Sequence, residues 1–263
     1  MITFFTDTYH LTLRHIRTTL RIPIWLFVTL TQPVIWLTLY GQLFRRVVEI
    51  PGFEADSYIQ FLTPGVIIMT AFFGSAWAGM GIIEDLQHGV IDRMLATPVN
   101  RASLIAARVA HAALTVSVQS VIIIVLGMIL GASVQGGVGG VLAILLLGSL
   151  LGAGFSAISN GVALLTRREE TLIAIINFFG LPLTFLSTAF MASDLMPGWI
   201  RFLAQGNPVN WAVNGARDAM LGQNWASTSD HGPAARIRPR RRLLQHPGIP
   251  GLPALRLRRV RSE

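Results

Sequence analysis

The side chains that could do chemistry in this sequence are concentrated in one charged segment, residues 84–101, which separates two long apolar stretches. The segment opens with Glu84 and Asp85, and carboxylates are stabilised at the positive N-terminal end of a helix. Pro98 then bends or ends the helix near the other boundary. The order of these residues predicts a short helix that begins with its two carboxylates.

An apolar stripe runs along this predicted helix and is flanked by Asp92 and Arg93. Its members recur at helical spacing: Val90, Ile91, Met94 and Leu95. An amphipathic helix of this kind can bind a groove on a soluble partner through its apolar face. The same pattern is typical of a helix that rests on a bilayer surface or packs on its own bundle. The pattern alone favours neither interpretation.

Sequence motifs for catalysis are absent. A phosphate-binding P-loop needs a lysine that reaches the phosphates, and all 21 basic residues of this chain are arginine. The chain also lacks cysteine, HExxH and GxSxG, and its six histidines are scattered without metal-ligand spacing. We therefore expect no catalytic residue, no metal ion and no cofactor on this chain. An intramembrane enzyme with an unmarked site is the less favoured alternative.

Four windows without Asp, Glu, Lys or Arg surround the charged segment. They hold 23, 27, 58 and 23 residues, at 22–44, 57–83, 109–166 and 171–193. Because a helix needs about 20 apolar residues to cross a bilayer, three windows hold one span each. The longest holds two, with a glycine-rich break at 131–140. We predict an all-α integral membrane protein with five transmembrane helices, at about 23–44, 59–82, 110–130, 141–164 and 171–192.

The distribution of arginine predicts the orientation of the chain. The N-terminal segment and the loops 83–110 and 165–170 together carry eight arginines, whereas the opposite side carries four. Since positively charged loops stay on the cytoplasmic side of a membrane, we expect the N-terminus in the cytoplasm.

The first 22 residues are typical of a helix that lies along a membrane surface. Its apolar residues recur at three- and four-residue spacing: Ile2, Phe5, Tyr9, Leu13, Ile16 and Leu20. Its basic side chains lie largely on the opposite side: His10, Arg14, Arg17 and Arg21. We predict an N-terminal amphipathic interfacial helix, with packing on the protein's own cytoplasmic face as the alternative.

Three polar side chains, Gln119, Asn160 and Asn177, fall near or within the predicted hydrocarbon region. Such groups face protein or a water-filled path rather than lipid. Hydrogen bonding between helices is the favoured explanation, and a place in a translocation path is the alternative. Gly148 and Gly152 form a GxxxG pair of the kind that lets helices approach closely.

The charged segment resembles the cytoplasmic signature of the type-two export class of ABC-transporter permeases. The matching residues are Glu84, Gly89, Asp92, Arg93, Leu95, Thr97, Pro98, Val99 and Arg101. Three further similar motifs are Arg21-Ile22-Pro23, Leu62-Thr63-Pro64-Gly65 and Asn207-Pro208-Val209. The likeness covers residues 1–223, and within the class the chain looks most similar to the daunorubicin-resistance type of drug-efflux permease.

The resemblance implies a two-permease, two-ATPase exporter in the bacterial inner membrane. A second permease copy, identical or related, would complete the path within the membrane lipid. A separate ABC ATPase subunit would hold ATP and magnesium and contact the predicted coupling helix. The residues that would couple the two chains are Glu84, Asp85, Gly89, Asp92, Arg93, Met94, Leu95, Pro98 and Arg101. The implied substrates are drugs or lipid-like amphipathic compounds, with lipid or polysaccharide export by the same class as the alternative.

The resemblance also implies that the segment after the fifth span, about 193–215, folds partly back into the outer leaflet as two short helices. Residues 202–216 are uncharged, but they are too few and too polar to cross a bilayer. Tryptophan suits the membrane interface. The residues expected in this external re-entrant segment include Trp199, Asn207, Pro208 and Trp211.

The resemblance finally implies a sixth span after Gln223. Residues 224–263 instead hold nine arginines and five prolines, and we expect a disordered tail. We predict that this tail is a frameshifted replacement of the sixth span, with a genuine basic tail as the alternative. A rival from another class is a membrane-anchored interaction protein whose basic tail binds nucleic acid or anionic lipid. The permease interpretation expects no nucleic acid partner.

Overall fold

The computed structural model describes residues 2–21, 23–49, 57–96 and 99–222. These residues form helices and turns, with no strand among them, and the all-α prediction is confirmed. The helices follow in chain order: α1 Ile2–Arg21, α2 Pro23–Ile35, α3 Gly41–Leu43, α4 Tyr58–Ala76, α5 Met80–Gln87, α6 Val90–Leu95, α7 Arg101–Ile129, α8 Gly137–Thr166, α9 Glu169–Phe185, α10 Gly198–Gln205 and α11 Pro208–Met220. The predicted tail at 224–263 lies outside the described residues.

Three helical stretches in the described part of the chain are long and apolar enough to cross a membrane: Tyr58–Gln87, Arg101–Ile129 and Gly137–Thr166. The first of them joins α4 to α5. The first predicted span is interrupted, because α2 contains Pro33 and continues into α3 through a π-helical turn at Trp36–Tyr40. A proline inside a helix removes one backbone donor and disturbs the ladder. With α9 only 17 residues long, the number of five spans stays a prediction.

A 3-10 turn at Trp77–Gly79 separates α4 from α5. The hydroxyl of Ser159, on α8, donates to the carbonyl of Ala76 and accepts the N–H of Gly79 at 3.0 Å. The hydroxyl therefore satisfies backbone groups that a change of helix pitch leaves without their usual partners. These two bonds fasten the bend in the long helix to α8.

α8 packs closely against α4 and α7, and Gly152 leaves room for this approach where a side chain would not fit. A Cβ atom at Gly152 would lie 2.8 Å from Ser75 Oγ, and one at Gly148 would lie 3.5 Å from Val116. The predicted glycine pair therefore lies at a helix contact, as its spacing indicates. The chain breaks at residues 130–136, between the end of α7 and the start of α8, whereas residues 137–140 of the predicted break already belong to α8.

α1 packs along the first half of α7 through a polar face. Thr12 is buried and lies 3.5 Å from the carbonyl oxygen of Ala107, and Thr19 Oγ1 lies 2.9 Å from His111 Nε2. Three members of the predicted apolar stripe stay 65–73% exposed: Phe5, Tyr9 and Leu20. The protein's own bundle therefore covers the threonine and histidine face and leaves apolar side chains for the membrane surface. The interfacial position itself stays a prediction.

Two short helices, α10 and α11, follow the last predicted span, as expected. Asn207 caps α11 by accepting the N–H of Val209 at 2.9 Å, and its amide donates to the Leu183 carbonyl at 2.6 Å. Asn210 accepts both the N–H and the hydroxyl of Thr188, at 2.9 and 2.8 Å. α11 also packs across α4 and α8. The asparagines of this segment thus hold the helix pair against the end of α9.

Candidate functional site

Residues 84–101 form two helical pieces rather than one helix that begins at Glu84. α5 is the end of the long second helix, so Glu84 and Asp85 lie near a helix C-terminus. The prediction that these carboxylates open a helix is wrong. The break comes from Gly89, which has a φ of +62° and whose N–H donates to the carbonyl of Leu86 at 3.1 Å. Glycine ends helices in this left-handed conformation because it has no Cβ.

Asp85 forms an ion pair with Arg108, near the start of α7. The same guanidinium nitrogen donates to the carbonyl oxygen of Gly81 at 3.2 Å. The Arg108 and Asp85 side chains are only 14% and 24% exposed. Removing one partner of an ion pair this sheltered from water is strongly destabilising, because the other charge stays buried without compensation. It therefore fixes the end of α5 against α7.

α6 turns part of its apolar stripe inward. Ile91 packs against a hydrophobic cluster of buried residues that includes Ile82 and Ile83. Met94 is half-buried, and its sulfur lies 3.6 Å from a guanidinium nitrogen of Arg14 on α1. The exposed side chains of α6 are Asp92, Arg93 and Leu95. The structure thus packs Ile91 and Met94 on its own bundle and leaves Leu95 exposed beside two charged side chains.

The end of the segment is attached to α1 as well. The N–H of Asn100 donates to an Asp7 carboxylate oxygen at 3.2 Å, and the Asn100 side chain caps α7 by accepting the N–H of Ala102 at 3.0 Å. Arg101 is exposed in the first turn of α7. Pro98 lies outside the described residues, so its predicted role as a helix stop is not tested. α1, α6 and α7 are therefore tied together at this end of the bundle.

His15 of α1 lies beside this junction. Its ring centroid is 5.7 Å from that of His111. Burial, the positive charge of Arg108, the neighbouring His111 and the charge of Arg14 together lower the pKa of His15 to about 4. His15 is consequently neutral at neutral pH. A neutral imidazole avoids repulsion from Arg108 of α7 and from Arg14 of its own helix.

A cavity of about 730 Å3 lies between α1, α2, the α4–α5 helix and α7. Its wall near the ion pair is polar and includes Arg14, Glu84 and Thr19, whereas the wall farther along α7 includes Val66 and Met69. Cavities of this volume are typical of sites for small molecules. The cavity begins beside the candidate coupling segment and continues into the apolar part of the bundle.

The three polar residues singled out within the spans occupy three different environments. Gln119 lines the cavity and donates to Thr29 Oγ1 at 3.1 Å. Asn160 is fully buried and donates to Ser156 on its own helix at 3.1 Å. Asn177 is exposed and donates to the Ile173 carbonyl one turn away at 3.0 Å. Only the Gln119 bond joins two helices, so the structure does not assemble the three into one path.

The residues of the predicted external segment lie in α10 and α11. Pro208 is the first residue of α11, directly after its cap Asn207. Trp199 and Trp211 are 65% and 57% exposed, and Trp211 Nε1 donates to the carbonyl of Gln205 at 2.7 Å. Both tryptophans therefore present an apolar ring outward. That arrangement suits the membrane interface that the sequence predicts for them.

Sequence reasoning missed the partners of the candidate segment on other helices. These are Arg108 and His111 on α7, and His15 and Thr19 on α1. One signal could have identified Arg108, since it is the last charged residue before the 58-residue window without charge. An arginine at the entrance of a span needs a partner to offset its burial.

A bundle of long apolar helices with a charged connection at one end is the architecture of an integral membrane protein. A family model, the ABC-2 type transporter, matches residues 6–221, and the chain belongs to this family. It is therefore a membrane permease subunit of an ABC transporter, a transport component that works with an ABC ATPase subunit.

The curated relatives agree with this assignment. The transport permease ycf38 of Cyanophora paradoxa is 31% identical over 211 residues, which cover 80% of this chain and 72% of the relative. The daunorubicin resistance ABC transporter permease protein DrrB1 of Streptomyces coeruleorubidus is 27% identical over 76% of this chain and 70% of its own length. The inner membrane transport permease YadH of Escherichia coli (strain K12) is 28% identical over 74% and 77%. No solved structure matches this chain significantly.

Proposed function

We propose that this chain forms the translocation path of an exporter for drugs or lipid-like amphipathic compounds. A separate ATPase subunit, which binds ATP and magnesium, supplies the energy. The ion pair between Asp85 and Arg108 is the observation that carries the proposal. It joins the end of one apolar helix to the start of the next, at the connection where a cytoplasmic partner can push.

The exposed face of α6 is the surface that we assign to the ATPase. Asp92 and Arg93 are exposed there, and Leu95 is 42% exposed. Complementary charges around a small apolar anchor give both specificity and affinity at an interface. Because Ile91 and Met94 pack on the permease itself, a force on α6 is passed to α1 and to the long helices.

A second permease copy is part of the proposal. α9 presents Asn177 on its exposed side, bonded only within its own helix among the described residues. An amide is costly against lipid and is usually covered by another helix. We therefore place the second copy, identical or related, against this face of α9, which also exposes Phe178.

Direction of transport and choice of substrate are tested together in inverted membrane vesicles. The permease is co-expressed with its ATPase, and uptake of daunorubicin is followed through its own fluorescence, because one relative is named for resistance to this drug. We expect uptake that requires ATP and magnesium and that is lost in a Walker-lysine variant of the ATPase. ATP-dependent release from preloaded inverted vesicles, without uptake, would show import and overturn the proposal.

The orientation in the proposal places the N-terminus and α6 in the cytoplasm of a bacterium, with the protein in the inner membrane. The exposed arginines of the α6–α7 connection, Arg93 and Arg101, support this side assignment. Arg108 does not add to that outward charge, since it is paired with Asp85. The substrate path then leads from the α6 side toward the helix pair α10–α11.

A further inference from the structure

The cavity between α1, α2, the α4–α5 helix and α7 has two chemically different ends within a single permease chain. On α7 it extends from Arg108 to Gln119, which is about 16 Å at 1.5 Å per residue. That distance is roughly half of the hydrocarbon thickness of a bilayer. A molecule that fills the cavity would therefore reach from the charged connection to the middle of the membrane.

The charges at the polar end balance one another. Arg14 and Arg108 line this end together with Glu84 and Asp85, and Asp85 is paired with Arg108. The cavity therefore provides no surplus of either charge at its entrance. A net charge on the occupant would upset this balance, whereas a neutral polar group leaves it intact.

The apolar end is formed by aromatic and aliphatic side chains. Trp36 and Val66 lie in this wall, together with Met69 and Phe73. Methionine and aromatic rings adapt to apolar ligands of different shapes and contribute most of the contact area in such pockets. The occupant of this end is accordingly an apolar chain or ring system.

Gln119 places a buried amide among the lining side chains of this end, beside Thr29. Its side chain is 3% exposed, and its amide nitrogen donates to Thr29. Its Oε1 atom has no hydrogen-bond partner among the described residues. A buried acceptor without a donor is costly. Gln119 lines the cavity, so a donor held there would remove this cost.

We propose that this cavity is a binding site for a net-neutral amphipathic molecule that donates a hydroxyl or N–H group to Gln119. This proposal rests on the proposed function in one respect, namely that the occupant has the chemistry of the exported compound. The site itself is a property of one permease chain. A transported compound and a membrane lipid share this chemistry, and the experiment below separates them.

The test uses two photoreactive probes with the purified permease in lipid nanodiscs. One is a diazirine-bearing fatty alcohol, and the other is its methyl ether, which cannot donate a hydrogen bond. Labelled peptides are identified by mass spectrometry. We expect the alcohol to label the peptides that contain Val66 and Met69 about fivefold more than the ether does, the equivalent of one hydrogen bond.

Matched variants separate the acceptor from general effects on folding. Gln119→Leu should reduce labelling by the alcohol to the level of the ether. Thr29→Val removes the hydrogen bond between Gln119 and Thr29 but keeps the acceptor, so the preference for the alcohol should remain. Thr31→Val removes an exposed hydroxyl on α2 that bonds the Phe27 carbonyl within its own helix, and it should change nothing. Equal labelling by the two probes in the wild-type protein, or an undiminished preference in Gln119→Leu, would overturn the proposal.

Photolabelling of the permease assembled with its ATPase distinguishes a transported compound from a membrane lipid as the natural occupant. During ATP hydrolysis a transported compound leaves the site and alcohol labelling changes, whereas a resident lipid leaves labelling unchanged. Both outcomes support the site and differ only in its occupant. A transporter that binds the alcohol through Gln119 but shows no ATP-dependent transport would leave this site standing and overturn the proposed function instead.

Discussion

Asp85 and Arg108 lie 23 residues apart in the sequence and form an ion pair that joins the end of α5 to the start of α7. Between them the chain leaves the bundle, forms α6 and returns. The ion pair therefore joins the two ends of the segment that contains α6. In the coupling that we propose, a force applied to α6 by the ATPase would reach two apolar helices through this contact.

Loss of Arg108 should destabilise the permease. Arg108→Gln leaves the Asp85 carboxylate largely buried without its cation, which we expect to cost about 2–3 kcal/mol. Thermal unfolding of the purified protein measures the change. Arg101→Gln is the matched control, because Arg101 is exposed at the start of the same helix. An equal loss of stability in both variants would show that the ion pair has no special role.

New negative charges on the exposed face of α6 should weaken binding of the ATPase without unfolding the permease. Arg93→Glu and Leu95→Asp change exposed side chains, and we expect each to reduce co-purification of the ATPase by about tenfold or more. Arg168→Glu reverses an exposed arginine outside the segment and should bind normally. Met94→Asp should instead disturb the contact with Arg14 and lower stability. Normal ATPase binding by both α6 variants would contradict the docking surface.

Cysteine labelling should reveal the orientation, since the chain contains no cysteine of its own. We expect His88→Cys and Arg168→Cys to react with an impermeant maleimide only from the cytoplasmic side. Gly139→Cys, near the start of α8, should react only from outside; a Cβ there meets open space. Labelling of position 88 in intact cells would reverse the orientation inferred from arginine distribution.

Attachment of α1 should depend on pH through His15. Its pKa of about 4 in the folded protein lies below the ordinary value of 6.5, so the detached or unfolded state binds more protons between these values. The contribution of His15 to stability is therefore fully present above about pH 6.5 and is lost as the pH falls toward 4. Hydrogen exchange of α1 amides, corrected for intrinsic rates, should increase over this range. His15→Gln should show a smaller increase, because His111 still contacts Thr19 of α1 in that variant. An identical response in that variant would exclude His15 as the cause.

A pair of glycines on α8 offers a test of helix packing. Gly152→Leu places a side chain against Ser75 and Val116, whereas Gly154→Leu extends into open space. Overpacking a close helix contact costs about 1–3 kcal/mol. We expect the first variant to unfold at a lower temperature and the second to resemble the wild type. Similar unfolding temperatures for the two variants would mean that α8 can move away from its neighbours without cost.

Much of the fold could be predicted because membrane helices are specified locally. Whether a run without charges can cross a bilayer depends on its own length and not on the rest of the chain. The windows at 57–83 and 109–166 therefore indicate the helices that α4, α7 and α8 form. The motif Asn207-Pro208 likewise marks the start of α11, since asparagine caps a helix and proline suits its first position.

The candidate site was predicted less completely, because its geometry depends on residues far apart in the chain. The sequence alone determined that residues 84–101 are a charged connection between apolar helices, and that Gln119 is a polar group within one of them. It did not determine that Gly89 ends the preceding helix, because glycine in a helical pattern is often tolerated. The tertiary structure decided that Asp85 meets Arg108, that Met94 turns toward Arg14 and that Gln119 faces a cavity. Such contacts depend on how separate helices pack against one another, and no local pattern of residues encodes that arrangement.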